Sequence, residues 1–191
     1  MLYAHQQKAI EKAKEVNGCL AIWHEMGLGK TRTTLEIYRH YREINPNLKL
    51  LVVCPKSLIN SAWAEDVAKF TNFKFSSYLT LKSIPDIVAI NYELIIGKKH
   101  LESIKKLISN GNWMCVIDES SKLRSNKSLI SKTMLDLSPK FKYRLCLSGT
   151  PFPNSETECW TQIEFIKPNL LHHSFYGFRN TYFHLSRGGQ K

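Results

Sequence analysis

Residues 19–31, CLAIWHEMGLGKT, pass from an apolar run through a glycine-containing loop into the start of a helical pattern. The apolar run 19–23 predicts a buried strand, and the pattern over about 33–43 predicts a helix. A strand, a short loop and a helix in this order form the repeating unit of α/β folds. This stretch therefore predicts that fold class.

Four further apolar runs continue the pattern along the chain. They cover residues 48–54, 87–90, 113–117 and 143–147. Near-continuous apolar runs of this length are typical of strands buried on both faces of a parallel sheet. Between them the clearest helix is predicted over 98–109, where Ile104 and Ile108 share one face, and Asn110-Gly111 is predicted to end it. After about residue 152 the strand pattern stops and helices are expected. The sequence thus predicts an α/β domain with a mostly parallel sheet sandwiched by helices.

Length and composition limit the classes of protein to which this chain can belong. Its 191 residues are expected to form one domain over 1–191, since domains usually span about 100–200 residues. The apolar fraction of 43% supplies a core and excludes a disordered or collagen-like chain. No run approaches the roughly 18 apolar residues of a membrane span, and residues 1–7 lack a secretory pattern. An intracellular protein without a membrane segment is therefore expected.

The charge balance points to anionic partners. Lys and Arg number 27 against 16 for Asp and Glu, so the formal net charge is +11. This is typical of proteins that bind nucleic acid, although lysines that only maintain solubility would give the same composition. The five cysteines form no Cys-x-x-Cys pair, and four of them lie in or beside the apolar runs. They are predicted to be small buried hydrophobes rather than disulfide partners or metal ligands.

Polar residues follow all five predicted strands, at the position where α/β sheets bind their ligands. These segments are His24–Thr31, Pro55–Ser57, Asn91–Glu93, Asp118–Ser121 and Ser148–Pro151. Four of the five contain residue types suited to phosphate, magnesium or DNA. A functional site is therefore expected along the edge where the strands end.

The loop Gly27-Leu28-Gly29-Lys30-Thr31 has the composition of a phosphate-binding loop (P-loop). Glycines let backbone N–H groups close around phosphate oxygens, and the N-terminus of the following helix adds a favourable dipole. Lys30 would neutralise the β- and γ-phosphates, and the Thr31 hydroxyl would ligate Mg²⁺. A chance match is the alternative, and the strand before the loop and the helix after it argue against that.

Two acidic residues, Asp118 and Glu119, end the apolar run 113–117. An aspartate there can hold Mg²⁺, and an adjacent glutamate can orient and deprotonate an attacking water. Two solvated carboxylates at a turn are the alternative, which the upstream phosphate-binding loop disfavours. The hydroxyls of Ser148-Gly149-Thr150 can hydrogen-bond to this acidic pair and relay nucleotide state, although a plain turn uses the same residue types.

Together these motifs resemble the first RecA-like lobe of a superfamily-two helicase (DEAD/DEAH-type ATPase), and specifically of the Swi/Snf-like double-stranded-DNA translocases. H-E-M-G-L-G-K-T at 24–31 is similar to that group's D-E-M-G-L-G-K-T, and D-E-S-S at 118–121 stands where D-E-A-H or D-E-S-H is usual. L-S-G-T-P at 147–151, with Asn154, is similar to the group's L-S-G-T-P-x-x-N. Further matches are P-K-S-L at 55–58 with Trp63, I-N-Y-E at 90–93, and Gln6 in L-Y-A-H-Q. The resemblance extends from residue 2 to about residue 183.

The resemblance implies an ATPase that uses ATP and Mg²⁺ to move along duplex DNA. The implied nucleotide-binding residues are Gln6, which would read adenine, and Met26, Gly27, Leu28, Gly29, Lys30, Thr31 and Arg32. Catalysis is implied for Lys30, Asp118 and Glu119, Mg²⁺ binding for Thr31 and Asp118, and coupling for Ser148, Gly149 and Thr150. Contacts to the DNA backbone are expected from Lys56, Ser57, Asn91, Tyr92, Lys122 and Arg124.

Three positions depart from the family's pattern: His5 stands for Tyr, His24 for Asp, and Ser121 for the final His of the acidic motif. The family's second RecA-like lobe supplies arginines of the kind worth about 10³–10⁵ in rate. This chain is expected to be the first lobe alone, with little turnover by itself. A non-hydrolysing module that binds nucleotide, DNA or a partner is the main alternative, and the Asp118-Glu119 pair disfavours it. A small-molecule kinase is a further alternative, and it would not need the segment 148–151.

Overall fold

The computed structural model describes residues 2–109 and 112–183, so the predicted helix end at Asn110-Gly111 lies outside the described residues. Within these ranges the strands are β1 Cys19–Ile22, β2 Lys49–Cys54, β3 Phe75–Ser77, β4 Ile87–Asn91, β5 Trp113–Asp118 and β6 Tyr143–Leu147. They form one sheet in the order β1-β6-β5-β2-β4-β3, and every neighbouring pair is parallel. The predicted α/β class and the five predicted strands are confirmed.

The α-helices of the described ranges are α1 Ala4–Glu15, α2 Lys30–Ile44, α3 Glu65–Phe70, α4 Tyr92–Ile96, α5 Lys98–Ser109, α6 Leu129–Leu137, α7 Cys159–Ile166 and α8 Phe175–Tyr182. Apolar residues of α1, α2 and α3 pack on one face of the sheet, and those of α4 to α7 pack on the other. The predicted sandwich is thus confirmed, with α7 against β1 and β6. None of these helices is long and apolar enough to cross a membrane.

Two elements differ from the sequence prediction. Strand β3 was not predicted, because it has three half-buried residues, Phe75–Ser77, and pairs only with β4 at the edge of the sheet. Such a strand lacks the continuous apolar run that marks a buried one. Helix α2 begins at Lys30 rather than near Thr33, so it includes both polar residues that end the glycine loop.

The central strands are buried over nearly their whole length, and their cysteines behave as predicted. Cys54, Cys115 and Cys146 are fully buried in β2, β5 and β6. Burial raises the pKa of the Cys54 thiol to about 12, so this side chain stays protonated at neutral pH. These three residues act as small apolar groups in the core.

Asp86 joins three parts of the chain at the amino edge of the sheet. Its Oδ1 accepts hydrogen bonds from Arg42 on α2 (2.8 Å) and from Lys49 on β2 (3.3 Å), and its Oδ2 accepts one from the backbone N–H of Lys74 (2.9 Å). Partial burial opposes ionisation of this carboxyl, but the three donors outweigh it and hold its pKa below the ordinary value.

Asp86→Asn is expected to lower the free energy of unfolding by about 2 kcal/mol at pH 7, since hydrogen bonds to charged groups are worth about 1.5–3 kcal/mol. A carboxyl with a depressed folded-state pKa stabilises the protein above its unfolded pKa of about 3.9, and this contribution is lost as the pH falls through the folded-state pKa. Urea unfolding at pH 7 and pH 3 should show the difference between the variants shrinking in acid. The exposed Asp136, changed to Asn, is the control. A difference that is equal at both pH values would contradict this role.

Candidate functional site

The carboxyl ends of the parallel strands meet at one edge of the sheet, and a cleft of 260 Å³ opens there. It is lined by Met26, Gly27, Gly29, Lys30, Thr31, Leu58, Ala62, Asp66, Asp118 and Glu119. The loop after β1 and the acidic pair at the end of β5 therefore face the same space, although Thr31 and Asp118 are 87 residues apart in the sequence.

The glycine loop has the backbone conformation that its sequence predicts. Gly27 and Gly29 have φ angles of +80° and +70°, in the left-handed region that side chains disfavour. A Cβ at Gly27 would meet no atom within 4 Å, whereas a Cβ at Gly29 would collide with the side-chain amide of Gln6. The loop is thus open on its cleft side and tightly packed on the side of α1.

Lys30, the first residue of α2, extends its side chain back along the loop. Its Nζ donates hydrogen bonds to the carbonyl oxygens of His24 (2.9 Å) and Glu25 (3.1 Å). These bonds hold the ammonium group beside the N-terminus of a 15-residue helix, whose dipole also favours anions. The cleft therefore presents a fixed positive charge and helix N–H groups, an arrangement that fits a phosphate chain.

Gln6 supports the loop from α1. It is 4% exposed, its Oε1 accepts a hydrogen bond from the backbone N–H of Tyr3 (2.9 Å), and its Nε2 donates to the carbonyl of Gly29 (3.3 Å). Its predicted contact with adenine remains a prediction. The described hydrogen bonds give it a definite structural role beside the loop.

Two of the positions that depart from the family pattern contact each other. The ring of His5 lies 5.2 Å from that of His24 in a perpendicular arrangement, and His5 Nε2 lies 3.0 Å from the carbonyl oxygen of Leu28. Burial, then the charges of His5 and Lys30, lower the pKa of His24. Both histidines thus pack behind the loop, and this pairing was not predicted from the sequence.

Asp118 is a buried carboxylate at the base of the cleft, with 5% of its surface exposed. Its Oδ2 accepts a hydrogen bond from the indole N–H of Trp63 (2.9 Å), and its Oδ1 accepts one from the backbone N–H of Glu119 (3.0 Å). Burial raises the pKa of Asp118, and the two hydrogen bonds and the Lys30 charge oppose that rise. A buried carboxylate and a hydroxyl residue, Thr31, that line the same cleft are a donor set that fits Mg²⁺.

Glu119 lies in the left-handed region, with φ +57°, and forms part of the wall of the cleft. Such a conformation costs energy in a residue other than glycine and must be held by its surroundings. Tyr92 provides one restraint, because its hydroxyl donates to the carbonyl of Asp118 (2.5 Å) and contacts that of Glu119 (3.3 Å). The backbone of the acidic pair is therefore restrained by the first residue of α4.

Two of the predicted DNA contacts lie in the interior. Tyr92 is 3% exposed, so its position does not agree with a side-chain contact to DNA and its role is the support of Asp118 and Glu119. Asn91 is 8% exposed, and its Oδ1 caps α4 by accepting from the backbone N–H of Leu94 (3.2 Å). Sequence reasoning placed both residues at the correct edge but on its surface.

The other predicted DNA-contacting residues are exposed. Lys56 and Ser57 follow β2, and Lys122 and Arg124 follow β5, so all four lie at the carboxyl edge beside the cleft.

Arg32, which was predicted to bind nucleotide, turns away from the cleft. Its guanidinium pairs with Glu36 (2.5 Å) and lies over the ring of Phe70.

The segment after β6 lies against the residues just before the glycine loop. Ser148 is fully buried. Its backbone N–H donates a hydrogen bond to the carbonyl oxygen of Ile22 (3.2 Å), and its Oγ accepts one from the backbone N–H of Thr150 (3.1 Å). A Cβ at Gly149 would lie 3.4 Å from the backbone nitrogen of Met26. In the described part of the chain, Ser148 and Thr150 make no hydrogen bond to the acidic pair, so the predicted direct contact is absent from this structure.

A parallel sheet with a glycine loop after its first strand and an acidic pair at the end of β5 is the arrangement of a RecA-like domain of the P-loop class. More specifically, the chain belongs to the SNF2-related domain family, whose model matches residues 5–184. The resemblance stated from the motifs is confirmed.

Relatives and solved structures support this assignment. The chain is 30% identical over 174 residues to a SWI/SNF-related matrix-associated actin-dependent regulator of chromatin subfamily A-like protein 1 homolog of Caenorhabditis elegans, covering 89% of this chain and 25% of that protein. It is 31% identical to the ISWI chromatin-remodeling complex ATPase ISW1 of Saccharomyces cerevisiae, covering 82% and 14%. The Sulfolobus solfataricus SWI2/SNF2 ATPase core in complex with dsDNA superposes with a TM-score of 0.80 at 27% identity, covering 94% of this chain and 38% of that one. The chain thus spans a quarter or less of the length of these two curated relatives.

Proposed function

We propose that residues 1–191 form the ATP-binding lobe of an intracellular DNA-dependent ATPase that moves along duplex DNA. The observation that carries this proposal is the cleft in which Lys30, at the start of α2, faces Asp118 and Glu119 across the sheet edge. The family assignment supports ATP as the nucleotide. The solved ATPase core in complex with dsDNA, which has the same fold, supports duplex DNA as the partner.

The phosphate-binding, Mg²⁺-binding and catalytic groups of the cleft have separate tasks in this proposal. The N–H groups of residues 27–31 and the Lys30 ammonium bind the phosphate chain and orient it along the cleft. Thr31 and Asp118 hold Mg²⁺, which offsets negative charge on the phosphates when it is bound. Glu119 is kept at the cleft wall by its fixed backbone, and its carboxylate accepts a proton from the attacking water.

The proposed motor consists of this chain and a second RecA-like lobe that carries arginines. Arginine fingers are worth about 10³–10⁵ in turnover, so the chain alone is expected to release phosphate slowly. The test is phosphate release from Mg-ATP with and without duplex DNA, by the chain alone and by the motor. Slow release by the chain and DNA-stimulated release by the motor are expected. DNA-stimulated release by the chain alone would contradict the two-lobe proposal, and a motor that DNA does not stimulate would contradict the proposed activity.

The exposed cations at the carboxyl edge are expected to contact DNA phosphates. The slope of the logarithm of the duplex-binding constant against the logarithm of the salt concentration should become shallower by about 1.8 in the double variant Lys56→Ala/Arg124→Ala. Each lost phosphate contact accounts for about 0.9 of this change. Fluorescence anisotropy between low and moderate salt measures the slope, and affinity should fall equally for unrelated DNA sequences.

The matched control is Lys140→Ala/Lys142→Ala, which removes the same charge from exposed positions just before β6, at the opposite edge of the sheet. It should leave the slope nearly unchanged. Equal slopes for the two double variants would contradict a DNA surface at the carboxyl edge and would indicate an effect of net charge alone.

A further inference from the structure

A buried glutamine on α7 connects the two loops that flank the cleft. Gln162 is fully buried, although α7 packs against the sheet through apolar residues such as Phe165. Its Oε1 accepts a hydrogen bond from the hydroxyl of Ser120 (2.7 Å), and its Nε2 donates one to the carbonyl of Pro151 (2.5 Å). We call this arrangement the Gln162 bridge.

The two ends of the Gln162 bridge lie next to the proposed machinery. Ser120 follows Glu119 directly, and Pro151 follows Thr150 in the segment after β6. Ser120 is itself fully buried, and its hydroxyl also contacts the Cys146 thiol of β6. A buried amide requires hydrogen-bond partners, since leaving either end unpaired is costly. The β5–β6 pairing ends at Asp118 and Leu147, and beyond it the bridge is the described hydrogen-bonded link between the two loops, so it restrains their relative position.

We propose that Gln162 is a positioning residue that orients Glu119 and couples it to the segment 148–151. This inference rests on the proposed ATPase function. Glu119 lies in the left-handed region, which its surroundings must hold, and Tyr92 restrains it only through backbone carbonyls on the β4 side. The Gln162 bridge restrains Ser120, the residue after Glu119, from the β6 side. A displacement of either loop is thereby passed to the other through one rigid amide group.

The first test measures coupling in the 191-residue chain without nucleotide. Ser120→Ala removes one end of the bridge, and amide hydrogen exchange is read at the other end, at Gly149 and Thr150. Exchange there should accelerate about threefold or more, because the loop opens locally while the core stays closed. Unchanged exchange at these two amides would overturn the bridge as a coupling element.

The neighbouring Thr161 offers a matched control. It is also buried on α7, and its Oγ1 has no hydrogen-bond partner among the residues that the structure describes. Thr161→Val therefore removes a buried hydroxyl of the same helix without touching the bridge. It should leave exchange at Gly149 and Thr150 unchanged, and acceleration equal to that of Ser120→Ala would overturn the proposal as a general effect of repacking.

The second test measures positioning of Glu119 in the motor. Gln162→Leu, which keeps the volume of the side chain, and Ser120→Ala should each lower kcat about 10- to 100-fold, the scale of a misplaced catalytic group. KM for ATP should stay within about twofold, because the phosphate-binding loop is untouched. The double variant should lose no more than the larger single loss, since both changes break one bridge.

The outcomes separate this inference from the proposed function. Multiplied losses in the double variant, or a change in KM with kcat unchanged, would overturn the positioning role. If Gln162→Leu does not fold, Ser120→Ala alone decides both tests. A wild-type motor without ATP turnover would contradict the proposed function, and the exchange experiment would still judge the bridge.

Discussion

Glu119→Gln is expected to lower ATP turnover by the motor about 10²–10⁴-fold while leaving Mg-ATP binding intact. The carboxylate forms part of the cleft wall, and its removal takes away the proposed acceptor for the proton of the attacking water. General bases contribute about 10²–10⁴-fold to rate, so turnover should fall by that factor. The amide keeps the size of the side chain, and the Tyr92 contact to the backbone is retained.

Binding and turnover are measured separately, by titration with Mg-ATP and by phosphate release with duplex DNA. Glu43→Gln, at the opposite end of α2 from the cleft, is the matched control and should retain both properties. Unchanged turnover in Glu119→Gln would remove the proposed base. It would favour the alternative in which the chain binds nucleotide without hydrolysing it.

Lys30→Ala is expected to weaken Mg-ATP binding by about 10- to 150-fold. The reason is the loss of a charge-assisted hydrogen bond to phosphate, and bonds of this kind are worth about 1.5–3 kcal/mol. The lysine also bonds the carbonyls of His24 and Glu25, so the loop itself loses two internal contacts. Turnover in the motor should fall further than affinity.

Isothermal titration of the 191-residue chain measures this affinity, and thermal unfolding checks that the variant is folded. Lys132→Ala, an exposed change on α6, is the control and should bind as tightly as the wild type. Lys30→Arg keeps the charge and should recover part of the affinity. Equal affinity for Lys30→Ala and the wild type would exclude the glycine loop as the phosphate site.

The fold follows from the sequence where burial is complete. β2 and β5 are buried on both faces, so their apolar runs are continuous and were predicted. β3 was not predicted, because Ser76 and Ser77 need no apolar pattern at a half-buried edge. The start of α2 was placed too late, because Lys30 and Thr31 are polar residues whose helical state depends on the loop before them.

The site follows from the sequence only as far as residue types at strand ends can indicate it. The glycine loop and the acidic pair were placed correctly at one edge, because parallel strands must end together. Side-chain direction was beyond this reasoning, so Tyr92 was assigned to DNA although it points into the core. Gln162 carried no signal, since one polar residue in an amphipathic helix ordinarily faces solvent.

Titration of the 191-residue chain with ATP in the presence and absence of Mg²⁺ tests directly whether the cleft between the glycine loop and the Asp118-Glu119 pair binds nucleotide. We expect one saturable nucleotide site per chain, which binds more tightly with Mg²⁺ and about 10- to 150-fold more weakly in Lys30→Ala. No binding to the folded chain, or binding that survives Lys30→Ala undiminished, would contradict this expectation.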